Sequence, residues 1–195
     1  MKRQQVADWT KRLADIYSAD NYIPLVQALG LACTNENGME KIATELKDMI
    51  MTGHTFAEAT ARMPDVFDRA YVNMVKCGEV SGTIYHIFPR INSYMIAEMK
   101  MARDLYLYKL ITMMTSGVPI LQALWIAQQG LSIEQDLKIV HDMVKEGENL
   151  SDGLEQSGLF TPEQISTIRL NEGYGSGVAG LAVALATISS EHGAT

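Results

Sequence analysis

A chain of 195 residues, 47% hydrophobic and 20% charged, can bury one sizeable core or two small ones, and this composition excludes a disordered or fibrous protein. The net charge of −7 is shared unevenly, with 11 basic and 12 acidic side chains in residues 1–100 against 5 and 11 in residues 101–195. No basic stripe is present to neutralise phosphates, which excludes a nucleic-acid-binding class.

Twelve methionines against 7% aromatics favour helix-on-helix packing. Met1–Gln5 leads directly into an amphipathic stretch, so no secretory leader is expected. Val6, Trp9, Leu13, Ile16 and Tyr17 recur at three- and four-residue spacing and predict a first helix with one buried stripe. Pro24, after Asn21-Tyr22-Ile23, fits the first turn of a second helix, where its missing N–H costs nothing. A third helix is predicted from Met39 to Thr52, stopped near Gly53. Thr55-Phe56-Ala57-Glu58 reads as a capping box opening a short fourth helix. A fifth helix is predicted near Asp68–Cys77 and closed by Gly78 with positive φ. A long sixth is predicted near Ser81–Arg103 with Ser81 as its cap.

Leu110–Ile133 carries no charge over a length that could span a bilayer. Thr115-Ser116-Gly117-Val118-Pro119 interrupts it with turn chemistry, so two short helices and a corner are expected instead. Tyr174–Ser190 is also uncharged but short and rich in small residues, and is read as core. Alternation typical of strands is absent.

The stretch "IPLVQALGLA" at Ile23–Ala32 returns as "VPILQALWIA" at Val118–Ala127. Leu46–Ile50 then aligns with Val140–Val144, Gly53 with Gly147, Phe67 with Phe160 and Glu79 with Glu172, the offset shrinking from 95 to 93 as small loop deletions would cause. The expectation is an all-α fold of two tandem six-helix bundles related by internal duplication, residues 1–100 and residues 101–195.

Chemistry-bearing motifs are few. Cys77-Gly78-Glu79-Val80-Ser81-Gly82 is the most distinctive stretch. Its Glu79 is expected beside the positive end of the sixth helix, either as a local structural charge or as a contact or ion ligand. The second copy reads Asn171-Glu172-Gly173-Tyr174-Gly175 and keeps the glutamate. Gly78–Thr83 lacks the lysine, the spacing and the preceding strand of a phosphate loop. Cys33 and Cys77 are too few for a disulfide scaffold and are expected as buried helical thiols. His54, His86, His141 and His192 have no partner at ligand spacing, and His141 is expected in a solvated position. No nucleophile has a recognisable base partner, so no catalysis is expected. Met95, Met99, Met101, Met113 and Met114 are expected to fill core.

The residues resemble those of the inner-membrane platform protein of type IV pili and type II secretion systems, the protein F or PilC type. The resemblance is carried by Gly117-Val118-Pro119-Ile120 with Gln122-Ala123-Leu124, by Gly147-Glu148-Asn149-Leu150-Ser151, and by Gly78-Glu79-Val80-Ser81-Gly82, over Asp8–Met99 and Asp104–His192. The first copy departs from it with Asn21-Tyr22 before its proline, and the second lacks the serine of the Gly-Glu-x-Ser-Gly pattern.

The resemblance implies a non-enzymatic scaffold on the cytoplasmic face of the bacterial inner membrane, and a divalent cation near such carboxylates in some members; two glutamates alone do not make a calcium site, so no cofactor or metal is expected here. It implies coupling of a cytoplasmic assembly ATPase to pilin or pseudopilin movement, contacts with inner-membrane docking proteins, and homo-oligomerisation. The transmembrane segments such proteins place between and after the copies are missing here, so a soluble join near residues 99–103 is expected. The candidate interaction residues are Glu79, Ser81, Glu172, Glu146, Glu148 and Asp152, on the acidic second copy and the corners between the fifth and sixth helices. A freestanding helical-repeat adaptor is the alternative, although its usual period near 34 residues does not match.

Overall fold

The computed structural model describes residues 2–18, 23–34 and 38–173. Among these, the regular structure is entirely helical. Ten helices are present: α1 (Arg3–Ser18), α2 (Leu25–Leu31), α3 (Glu40–Met51), α4 (Phe56–Ala61), α5 (Arg69–Val80), α6 (Ile84–Thr115), α7 (Ile120–Gln128), α8 (Glu134–Lys145), α9 (Leu150–Ser157) and α10 (Pro162–Gly173). The chain divides into two compact units, Met1–Ala97 and Glu98–Thr195, with the boundary inside α6. The sixth helix expected in the second copy lies outside the described residues, as does the uncharged run Tyr174–Ser190. No helix among the described residues is long and apolar enough to cross a membrane.

In the first unit the stripe predicted for α1 buries Val6, Trp9 and Leu13 fully. Trp9 meets Phe67 at 6.1 Å between ring centroids, and its indole N–H donates to the Leu29 carbonyl at 3.3 Å. Phe67 from the turn before α5, Tyr71 and Val75 from α5, Phe56 from α4, and Phe88, Ile91 and Met95 from α6 complete the core. Arg3, only 8% exposed, pairs with Asp68, whose other oxygen accepts the Tyr71 N–H at 2.7 Å and caps α5. One carboxylate thus closes a helix end and ties α1 to α5, a link invisible in linear spacing.

In the second unit, Tyr106, Leu107 and Leu110 of α6 are buried, as are Leu124 and Ala127 of α7, Leu137 and Val140 of α8, Leu150 and Leu154 of α9, and Ile165 and Ile168 of α10. α8 packs on both α7 and α9, and α9 packs on α10. The close α8–α9 approach rests on Gly153, where a Cβ would lie 3.2 Å from the Val140 Cα. The uncharged run 110–133 resolves into the end of α6, a corner at Gly117 (φ 85°) and α7.

Several boundaries differ from expectation. Pro24 and Pro119 sit one residue before their helices rather than inside the first turn, with φ/ψ of −55°/139° and −55°/140°. Their extended ψ is that of a residue flanking a helix whose carbonyl already accepts the first helical bonds. Gly78 does not end α5; it lies within the helix, and Gly82 (φ 69°) takes the left-handed position. The Gly82 and Thr83 N–H groups close the helix on the carbonyls of Glu79 and Gly78, at 3.1 and 2.8 Å. Gly78 is glycine because α6 crosses it: a Cβ there would lie 3.1 Å from the Ile84 Cα. Ser81 consequently terminates α5 instead of starting α6.

The capping box forms at Thr55 as expected, whereas Asn149-Leu150-Ser151-Asp152, which has a related spacing at the start of α9, forms none. Asn149 instead donates its amide to Asp152 at 3.2 Å, and the shorter aspartate is held by Arg169. The thiols are not buried either: Cys33 is half-buried and Cys77 is exposed on the outer face of α5. Burial and then the charge of Glu40 push the Cys33 thiol pKa up. His141 is half-buried against Trp125, 5.6 Å between rings, rather than solvated. Met95, Met99 and Met114 fill core, while Met101 is 73% exposed.

Candidate interaction site

The first four N–H groups of a helix have no partner inside it, and short helices feel this most. At α4 all of them are satisfied by side chains. The Glu58 N–H donates to Thr55 Oγ1 (3.1 Å) and the Thr55 N–H to Glu58 Oε2 (2.9 Å), closing the box. The Phe56 and Ala57 N–H groups between them donate to Glu79 Oε1 (2.6 Å) and Oε2 (3.2 Å). Glu79 reaches α4 because α5 runs three residues longer than its spacing predicted, placing the carboxylate on the last turn. It therefore sits on the positive end of α4, not of α6 as expected.

The second unit holds a related corner. Glu172 on α10 receives the Ser151 N–H of α9 at 3.2 and 3.3 Å, one donor shared by two oxygens. Asp152 on the same turn of α9 accepts from Arg169 at 2.7 Å, and Arg169 also donates to Glu155 at 2.7 Å. These bonds, that to Glu155 first, raise the Arg169 pKa above its usual value. Glu172 and Asp152 are thus brought to one helix start.

The other candidates stand apart from these corners. Ser81 is exposed and turns back on its own helix, donating to the Cys77 carbonyl at 2.8 Å and meeting Thr83 Oγ1 at 2.6 Å. Glu146 and Glu148 are exposed at the end of α8, where the Glu148 N–H closes the helix on the Met143 carbonyl at 3.0 Å. Among the described residues no cluster of three or more His, Cys, Asp or Glu side chains could hold a metal ion.

Two features were missed by spacing. Arg169 was overlooked because an arginine on an exposed face carries no motif. The reciprocal pair Thr161–Gln164, with the Thr161 N–H on Gln164 Oε1 (3.0 Å) and the Gln164 N–H on Thr161 Oγ1 (3.3 Å), was legible in Thr161-Pro162-Glu163-Gln164 as a second box and went unread.

Short helices with side-chain-tied ends, and carboxylates placed on backbone donors, make the described residues an all-α helical module. Residues 16–110 match the family described as Type II secretion system (T2SS), protein F. It is a family of non-enzymatic platform proteins. The chain is 30% identical over 97 residues to the type IV pilus assembly protein PilC of Pseudomonas aeruginosa, covering 48% of this chain and 25% of that protein. It is 32% identical over 88 residues to PilC of Myxococcus xanthus, covering 44% and 21%, and 29% identical over 96 residues to the type IV pilus assembly protein TapC of Aeromonas hydrophila, covering 48% and 23%. The matches span a quarter or less of those relatives' own length.

Proposed function

We propose that this chain is part of the platform of a type IV pilus assembly machine, passing force between a cytoplasmic assembly ATPase and pilin in the bacterial inner membrane. The observation that carries the reading is the protein F domain match together with relatives named for type IV pilus assembly. Docking proteins of the inner membrane are further partners, the chain acts as a homo-oligomer, and it works at the cytoplasmic face beside membrane segments outside this sequence.

The platform consists of one helical unit used twice, residues 1–100 and residues 101–195. Supporting the duplication, Pro24 and Pro119 share one backbone conformation, and Gly53 and Gly147 both close a helix at φ 99° and 96°. A glutamate from a twelve-residue helix also meets the start of the preceding short helix in both units. The motor-facing surface is the acidic one carrying Glu146 and Glu148. Glu79 holds the helix corner of the first unit and Glu172 and Asp152 that of the second, while Ser81 is offered as an exposed contact at the end of α5.

Deletion of the gene, followed by counting surface pili and assaying secreted proteins, tests the reading. Loss of pili restored by the full-length gene is expected. Unchanged piliation would contradict it, and loss of secretion alone would assign the chain to a secretion platform instead.

A further inference from the structure

The two helix corners differ in one respect that neither fold nor family explains. Arg169 stands three residues before the capping Glu172, and it bridges to Asp152 and Glu155, the third and sixth residues of α9. In the first unit the residue three before Glu79 is Lys76, and the third and sixth residues of α4 are Glu58 and Ala61. The acid at the sixth position is therefore missing, and Lys76 makes no ion pair among the described residues. A cleft of about 530 Å³ opens there, floored by Ala57, Ala61 and Val72 and edged by Lys76 and Val80. A second recess of about 420 Å³, lined by Pro64 and Arg69, shares Ala61, Val72 and Asn73 with it.

The charges around this cleft are unequal in a useful way. Its three carboxylates are all committed: Glu58 to the Thr55 N–H, Glu79 to the Phe56 and Ala57 N–H groups, and Asp68 to Arg3 and the Tyr71 N–H. Its two cations, Lys76 and Arg69, have no hydrogen-bond or ion-pair partner among the described residues. Beside them Val80 stands 82% exposed, apolar surface at the mouth of an apolar floor.

We propose that the α4–α5 cleft docks a segment of a partner protein that carries a carboxylate beside an aliphatic side chain. The carboxylate takes the place Glu155 holds in the second unit and pairs with Lys76, while the aliphatic group covers Val72 and Val80. A second copy of this chain is a poorer occupant through α9, because Asp152 and Glu155 are already engaged by Arg169. The proposal does not depend on which machine the chain serves.

The test uses the full chain labelled with ¹⁵N and a blocked peptide of the sequence Leu150–Ser157, which joins two leucines to two acids. Saturable amide shifts confined to Val72, Asn73, Lys76 and Val80 are expected. Replacing both acids by their amides, or making Lys76→Glu in the protein, weakens binding about two- to fivefold, the scale of one partly exposed ion pair. A peptide with lysines in place of both acids recovers binding to Lys76→Glu. Ala61→Glu, which supplies the missing acid internally, blocks the cleft with the fold intact by circular dichroism. The proposal is overturned by the absence of saturable shifts at the cleft, by shifts that survive Lys76→Glu, or by shifts that appear at α10 instead.

Discussion

Glu79 shows how far one side chain can serve a fold. Its two oxygens satisfy consecutive N–H groups of a six-residue helix that could not hold itself together in isolation. Bonds of this kind to a charged acceptor each contribute about 1.5–3 kcal/mol, and some of that is recovered by water when they are lost at a half-buried site. Glu79→Ala is therefore expected to destabilise the first unit by about 1–3 kcal/mol, with Glu79→Gln losing less. Urea unfolding followed by the fluorescence of buried Trp9, in a Trp125→Phe background, measures it. Glu172→Ala should cost less, because its contacts converge on one donor at 3.2 and 3.3 Å. An equal loss at both sites would contradict this account of the corners.

Gly78 sits at the same scale. Alanine there gains about 1 kcal/mol of helix propensity but drives a methyl group to 3.1 Å from the Ile84 Cα, an overpacking cost of about 1–3 kcal/mol. The net expectation for Gly78→Ala is a modest loss in the same unfolding assay. A gain would mean that α5 and α6 part easily.

Among the elements, features set by a few neighbouring residues were the most legible part of the sequence. The box at Thr55, the stop at Gly53 and the stripe of α1 each rest on local chemistry that a few residues determine. What could not be read was set by neighbours distant in sequence. A glycine inside a helix is unfavourable, so local propensity ended α5 at Gly78, whereas contact with Ile84 and Ile87 requires glycine there and lets the helix continue. The same error moved Glu79 to the wrong helix end. Asn149 had the correct spacing to Asp152 for a box, but Arg169, seventeen residues beyond Asp152, competes for that carboxylate. Thr55→Ala should consequently cost about 1 kcal/mol, a typical loss for a removed cap, while Asn149→Ala costs clearly less. Hydrogen exchange at the first-turn amides of α4 and α9 distinguishes the two.

At the scale of the whole molecule, each unit carries a fully buried tyrosine, Tyr71 and Tyr106, and burial raises both phenol pKa values well above the usual one. Burial and then the neighbouring Tyr85 also push Tyr17 up to about 12. A phenol whose folded pKa is raised contributes full stability below its unfolded value of about 10 and loses it as pH climbs toward the folded value. Alkaline unfolding is expected to begin near that point, with tyrosinate absorbance and helical signal changing together. Tyr71 shares its hydroxyl with Thr10 at 3.3 Å, whereas the Tyr106 hydroxyl has no partner among the described residues. Tyr106→Phe should therefore raise stability by up to about 1 kcal/mol and weaken the alkaline transition of its unit. A destabilised Tyr106→Phe would show that the hydroxyl is satisfied after all.

The charge of the molecule belongs to the same scale, because the excess of acid over base lies almost wholly in residues 101–195. An exposed pair such as Glu146 and Glu148 adds little to stability and can do much for encounter with a basic partner surface. The measurement that tests the platform account most directly is a calorimetric titration of this chain with the pilus assembly ATPase encoded in the same genome, with and without nucleotide and across salt concentrations. The account predicts saturable binding that depends on nucleotide state, weakens as salt rises, and is lost in the Glu146→Lys, Glu148→Lys double variant. Absence of saturable binding under all of these conditions would contradict it.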